Sequence, residues 1–226
     1  MGKSKNRTRK LNKKRLFFVL ILFFLLSFFI VKIFNSNIKN IYVKGNEILT
    51  DQEIIDIAGI EDYPTSINNL SVALENRLEK NQYILEADVT KSNFTSKITI
   101  EVKENYQLFY YQTENKTILY NADKVTEKFT VPTVINQIPN TVYDKFLKAM
   151  KKVNKTILYR MSEIEYSPNE VDEERFFILM NDGNYVYLTL NKFLAINKYI
   201  EMVKSFNNKK GILYLDSGEY FDTFNE

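Results

Sequence analysis

Asp182, the run Asp172-Glu173-Glu174, and the pair Ser36 and Lys39 are the residues whose types and spacing could do chemistry in this chain. A carboxylate such as Asp182 could ligate a metal, and paired acids can cleave a glycosidic bond without histidine. Each has a plainer explanation. Asp182 stands in Asn181-Asp182-Gly183-Asn184 between two apolar runs, where Asp and Gly serve a tight turn because both tolerate positive φ. Asp172-Glu173-Glu174 reads as a solvated loop. Ser36-Asn37-Ile38-Lys39 matches a Ser-x-x-Lys nucleophile pattern, but it follows a membrane-length apolar run and none of the companion motifs are present. Asn69-Leu70-Ser71 and Asn93-Phe94-Thr95 match glycosylation sequons, which an Asn-rich chain produces by chance. His and Cys are absent, which excludes Ser-His-Asp and Cys-His systems and nearly all zinc chemistry. No catalytic, metal-ligating or cofactor-binding residue is assigned, and no cofactor is expected.

The elements that would position any site begin at a membrane. Lys3, Lys5, Arg7, Arg9, Lys10, Lys13, Lys14 and Arg15 precede the apolar run LFFVLILFFLLSFFIV, Leu16 to Val31. From Leu16 to Phe34 a helix would extend roughly 28 Å, close to the thickness of a bilayer's hydrocarbon core. Lys32 stands near the far end, where its stem can lie in lipid while the ammonium reaches water. Positive charge before the span keeps the N-terminus cytoplasmic and sends the rest outward. A cleaved signal peptide shares the basic start, but this apolar run is longer than usual and Asn35-Ser36-Asn37 offers no small-x-small cleavage site. An uncleaved anchor is therefore expected. Met1-Gly2-Lys3-Ser4-Lys5-Asn6 fails the myristoylation pattern at Asn6. The span has no Gly and only Ser27 as a small residue, so it offers no small-xxx-small helix pairing.

Net charge is +3, and the eight tail charges removed leave about −5 on the remainder. The basic balance is thus topogenic, with attraction to anionic lipid added, and argues for no nucleic-acid partner. The remaining chain is long enough for one large domain or two small ones. Without Cys, packing alone must stabilise it.

A short module follows the span. Ile41-Tyr42-Val43 reads as a strand and Gly45-Asn46 as its turn. Thr50-Asp51-Gln52-Glu53 is a capping box, opening a helix with Ile54, Ile55 and Ile57 that Gly59 stops. After Pro64, Leu70, Ala73, Leu74 and Leu78 predict the buried stripe of a second helix. Tyr83 to Val89 and the alternating Ile98, Ile100 and Val102 predict two more strands. Two helices then cover one face of a three-stranded sheet.

From Gln107 the chain becomes strand-rich, with strands expected at 109–111, 117–120, 133–135 and 162–166. A helix from about Thr141 to Val153 carries Tyr143, Phe146, Leu147, Met150 and Val153 on one side. Arg175 to Met180 and Tyr185 to Leu190 flank the Asp-Gly turn as a hairpin. A last helix is expected from Lys192 to Phe206, with Phe193, Ile196, Tyr199, Ile200 and Val203 inward. Gly211 to Leu215 reads as the final strand, with Tyr220 and Phe221 beyond it as exposed aromatics. No internal repeat or low-complexity linker interrupts the series.

The outline resembles the bacterial division proteins of the DivIB/FtsQ family over almost its full length. The resemblance rests on Ile41-x-Val43-x-Gly45-Asn46, Tyr83-Ile84-x-x-Ala87-Asp88-Val89 and Ile98-x-Ile100-x-Val102-x-Glu104, spaced as in a POTRA domain, with Ile54 and Leu78 between. Downstream it rests on Ser162-Glu163-Ile164, Met180-Asn181-Asp182-Gly183-Asn184, and Lys210-Gly211-Ile212 to Tyr220-Phe221. The family often has Pro on either side of the third POTRA strand, where this chain has Phe94-Thr95-Ser96 and Asn105-Tyr106. It also lacks the long C-terminal tail of some members.

The resemblance implies an α+β architecture: residues 1–15 a cytoplasmic basic tail, 16–34 a transmembrane signal anchor, 35–105 a POTRA-like β-α-α-β-β domain, and 106–226 a β-rich domain with flanking helices. It implies a non-enzymatic, single-pass type II protein of the cell membrane, working at the division septum. Its partners would be bitopic FtsL-type and DivIC/FtsB-type proteins and, through them, the septal wall synthases. Strand addition at a sheet edge would join them. The residues implied are Gly211, Ile212, Leu213, Tyr214 and Leu215 of the terminal strand, with Tyr220 and Phe221 as side-chain anchors. Tyr214 has a second reading as ordinary core beneath the last helix. Two other classes compete. A membrane-anchored, carboxylate-dependent wall hydrolase would need converging acids, which no spacing indicates. A POTRA-bearing translocation factor would carry several such modules or a barrel.

Overall fold

The computed structural model describes residues 12–34, 37–60, 64–66, 68–92, 96–207 and 209–224. The basic residues Lys3 to Lys10, together with Ser36 and the Asn93-Phe94-Thr95 sequon, lie outside the described residues. The chain divides into two units, Met1–Glu104 and Asn105–Glu226.

The first unit opens with α1, Lys13–Phe34. Among the described residues it contains the one helix long and apolar enough to cross a membrane. Its side chains from Leu16 to Val31 are exposed, as a lipid-facing span requires. The module after it has β1 (Asn40–Lys44), α2 (Asp51–Ala58), α3 (Ser71–Leu78), β2 (Ile84–Ser92) and β3 (Lys97–Glu104). The strands lie in the order β1-β3-β2, with β1 parallel and β2 antiparallel to β3. Both helices pack on one face, where Ile54, Ala58, Leu74 and Leu78 meet Ile98, Ile100 and Val102. The capping box is formed: Glu53 N–H donates to Thr50 Oγ1 at 3.2 Å and Thr50 N–H to Glu53 Oε2 at 2.7 Å. The Thr50 N–H and hydroxyl, both donating to the Glu53 carboxylate, hold that carboxyl below its usual range. Gly59 ends α2 in the left-handed region, φ 66°.

Leu70 departs from the expected stripe. It precedes α3 as its N-cap in extended backbone and is 55% exposed, so only Leu74 and Leu78 are fully buried. A residue outside the helix does not share its rotation, and the i, i+4 spacing to Leu74 fails there.

The second unit contains β4 (Gln107–Tyr111), β5 (Lys116–Leu119), β6 (Lys124–Val125), β7 (Thr133–Val134), α4 (Asn140–Met150), α5 (Lys155–Leu158), β8 (Met161–Tyr166), β9 (Arg175–Met180) and β10 (Tyr185–Thr189). A 3-10 stretch, Leu190–Lys198, then runs into α6 (Tyr199–Ser205), followed by β11 (Gly211–Tyr214) and β12 (Tyr220–Thr223). All nine strands form one sheet in the order β12-β11-β10-β9-β8-β7-β4-β5-β6. Its core side is built on rings: Phe146 of α4 lies 5.3 Å from Phe109, 4.9 Å from Phe176 and 5.8 Å from Phe193.

The last helix begins as a 3-10 helix instead of the α-helix expected from Lys192. Its buried residues explain the change, because Phe193, Ile196 and Tyr199 recur every third position and fall on one face at three residues per turn. From Tyr199 to Val203 the spacing becomes four and the helix becomes α.

Candidate partner-binding edge

The hairpin of β9 and β10 fixes the edge of the sheet through one buried network. Asn184, fully buried in the turn, accepts the Gly211 N–H at 3.0 Å and donates to the Tyr199 hydroxyl at 2.9 Å. Tyr199 in turn donates to Asp182 at 2.8 Å. Burial pushes the Tyr199 phenol well above its ordinary pKa, and the hydrogen bond to Asp182 adds to the rise. Asp182 thus braces a turn against the last helix. The network sets where β11 starts, and Leu215 N–H continues the pairing to Tyr187 O at 2.7 Å.

β11 is not the edge. It pairs in parallel with β10 on one side and antiparallel with β12 on the other. The residues expected to expose backbone, Gly211, Ile212, Leu213, Tyr214 and Leu215, therefore lie in or beside a strand closed on both sides. Leu213 is 1% exposed and Leu215 is fully buried. Tyr220 and Phe221, expected beyond the strand, belong to a strand of their own. Four residues between Ser217-Gly218-Glu219 and Phe224 make too short a pattern to read as β.

β12 pairs only with β11 among the described residues. Phe224 N–H donates to Lys210 O at 3.0 Å, and the register sets Ile212 opposite Asp222 and Tyr214 opposite Tyr220. In an antiparallel ladder, bonding pairs alternate, so the backbone groups of Asp222 and Tyr220 face β11 and those of Phe221 and Thr223 face outward. The close approach confirms the direction: a Cβ on Gly211 would come within 2.0 Å of Asp222 O. At the opposite end of the sheet, β6 has only two residues.

The side chains divide across the two faces. On the face away from the helices, Tyr214 stacks between Tyr187 at 5.5 Å and Tyr220 at 4.5 Å. Phe177 lies 4.8 Å from Tyr187, and the Arg175 guanidinium sits 3.7 Å above the Tyr187 ring. Arg175 also donates to Asp216 at 2.8 Å. Burial pushes the Asp216 carboxyl up, but the hydrogen bonds from Arg175 and Ser217 and the Arg175 charge outweigh it and hold the carboxyl below its usual range. Tyr220 is half exposed. The reading of Tyr214 as core beneath the last helix is overturned, because Tyr214 follows the parity of Tyr187. Phe221 takes the other face, stacked on Phe206 at 4.7 Å, and is not an outward anchor.

The aromatic face joins Tyr214 and Tyr220 to Tyr187 and Phe177, residues that sequence reasoning assigned only to a hairpin. The signal was present: Arg-Phe-Phe-Ile-Leu-Met and Tyr-Val-Tyr-Leu-Thr carry apolar or aromatic residues at both parities. An ordinary one-sided strand alternates instead. Beside this face, Glu163, Glu165, Phe177, Leu179 and Tyr185 line a cavity of about 300 Å3. Among the described residues no cluster of acids is arranged to hold a metal.

Residues 36–105 match the family described as POTRA domain, FtsQ-type. The chain is 27% identical over 220 residues to cell division protein DivIB of Bacillus subtilis (strain 168), covering 92% of this chain and 81% of that one. It is 28% identical over 194 residues to DivIB of Geobacillus kaustophilus, covering 80% and 73%. With DivIB of Listeria monocytogenes it shares 25% identity over 199 residues, covering 84% and 73%. A solved structure of the major extracytoplasmic domain of the trans isomer of DivIB from Geobacillus stearothermophilus is similar at 19% identity and TM-score 0.38, covering 47% of this chain and 97% of that one.

Proposed function

Because this chain is a membrane-anchored member of the DivIB/FtsQ family of cell-division proteins, we propose that it is a non-enzymatic scaffold of the division complex that binds FtsL-type and DivIC/FtsB-type partners by strand addition. Through them it helps control septal wall synthesis. Its basic tail stays in the cytoplasm and both folded units lie outside, at the septum. The observation that carries the reading is the outer side of β12, which has no strand partner among the described residues and where Phe221 and Thr223 direct backbone groups away from the sheet. A partner strand satisfies those groups, and an aromatic surface beside it supplies contact area. Tyr220 is the side-chain anchor of that edge, continued by Tyr214 and Tyr187. Gly211, Leu213 and Leu215 act from beneath by fixing where β12 lies.

Thr223→Pro tests the reading. The substitution deletes an outward donor while leaving the Phe224 and Asp222 bonds to β11 in place. Co-purification of FtsL-type and DivIC-type proteins with the full chain should be lost with Thr223→Pro and retained with Thr223→Ala. Undiminished recovery with a folded Thr223→Pro chain would move partner binding to another surface.

A further inference from the structure

The helix-covered side of the second unit holds a groove of about 470 Å3 between α4 and the 3-10 stretch. Lys145 and Lys148 of α4 and Lys152 of the turn after it stand along one wall, and Lys192 stands on the other. Lys145 pairs with Glu174, and Lys192 Nζ donates to Asp216 O at 3.4 Å. Among the described residues the ammonium groups of Lys148 and Lys152 have no partner. Glu219 is the acid in the lining, at the end nearest β12. This cationic rim stands out in a chain that carries about −5 beyond its tail. The floor is different. Leu190 and Leu194 form part of an apolar surface, and Leu194 is 43% exposed.

We infer that this groove seats an acidic amphipathic helix from a partner protein. A hydrophilic polyanion would use the lysines and leave Leu194 in water. A helix with an apolar stripe flanked by carboxylates uses both floor and rim. The scale agrees, since Lys145 and Lys148 stand one turn apart on α4, about 4.5 Å along its axis, with Lys152 in the turn after it, and acids at i and i+3 or i+4 of a facing helix repeat at a similar spacing. The groove lies on the opposite face of the sheet from the aromatic surface, so it is a site separate from strand addition and stands or falls independently.

The test uses the full chain in detergent micelles and three labelled probes read by fluorescence anisotropy. The first is a helical peptide of about three heptads with Leu at a and d and Glu at e and g. The second replaces Glu with Lys, and the third is polyglutamate of equal length. The first should bind, and the other two should bind at least about tenfold more weakly. Lys148→Glu with Lys152→Glu, and separately Leu194→Asp, should each weaken the first probe by about tenfold or more, with the circular dichroism spectrum unchanged. Thr223→Pro should leave it unaffected. Equal binding of polyglutamate with no effect of Leu194→Asp would overturn the proposal in favour of a hydrophilic polyanion site. Absence of binding, or binding indifferent to both groove variants, would overturn it outright.

Discussion

The side-chain oxygen of Asn184 accepts the backbone N–H of Gly211 at 3.0 Å, across 27 residues of sequence. Both groups are buried, and the same Asn184 holds the Tyr199 hydroxyl, so a single turn residue joins the hairpin, the last helix and β11. Asn184→Leu keeps the size but leaves the Gly211 N–H without an acceptor. The expected loss is about 3 kcal/mol, measured as a lower urea midpoint for the region after the span. Because β12 hangs on β11, hydrogen exchange should quicken at Phe224 and Leu215 before it quickens in β8 or β9.

The first unit depends on an equivalent tie between Glu104 and the loop after β1. The Glu104 carboxylate accepts N–H groups from Glu47 at 3.1 Å, Ile48 at 3.0 Å and Leu49 at 2.7 Å. It reaches them because Gly45 turns at φ 81°, where a Cβ would stand 2.1 Å from Val102 O. Gly45→Ala should cost about 3 kcal/mol or more through backbone displacement and left-handed strain. Glu104→Ala should cost about 2 kcal/mol by removing the buried carboxylate that gathers three loop N–H groups. Thermal unfolding of each variant checks both values.

These two ties mark the boundary of what the sequence could convey. Gly45, Asn46 and Glu104 were legible as motif positions, but the bond joining Glu104 to a loop more than fifty residues earlier needs the folded chain. The capping box, the Gly59 stop and the β9–β10 hairpin were legible because their partners are a few residues apart. The true edge is not legible in the sequence because β12 is short and half exposed, and only its pairing with β11 gives it strand geometry. Tyr214 was ambiguous for a related reason. Parity decides which face a strand residue takes, and parity is fixed only once the register to Tyr187 is known.

Alkaline pH should unfold the second unit through the half-buried Tyr143 and the buried Tyr199. Burial chiefly, with the charges of Glu114, Tyr111 and Asp144, pushes the Tyr143 phenol up to about 12. Tyr199 is raised for the same leading reason. The unfolded chain ionises Tyr near 10, so the stability from the neutral phenols is complete below about pH 10 and drains as pH climbs toward 12. Urea unfolding at intervals across that window should show a falling midpoint. Tyr143→Phe, which has no proton to lose, should flatten the fall.

The span should act as an anchor alone. Its side chains are exposed along the whole apolar run, and Ser27 is its one small residue between Leu16 and Val31. Replacing Leu16 to Val31 with an unrelated apolar span should leave partner co-purification unchanged. Loss of the complex after the exchange, with the protein still membrane-bound, would assign a binding role to the helix itself.

Proline placed in two neighbouring strands separates folding from binding. Leu213 is almost fully buried in β11, and strand alternation points its N–H at β10. Leu213→Pro therefore removes a ladder bond and disturbs the core under α6, with an expected cost of about 3 kcal/mol or more. Thr223 lies at the outer edge with its N–H directed away from β11, where Pro is tolerated at a cost under about 1 kcal/mol. Denaturant midpoints of the two variants should therefore differ widely although ten residues separate them. Equal destabilisation would mean that Thr223 N–H is bonded inward and that the outer side of β12 is not free.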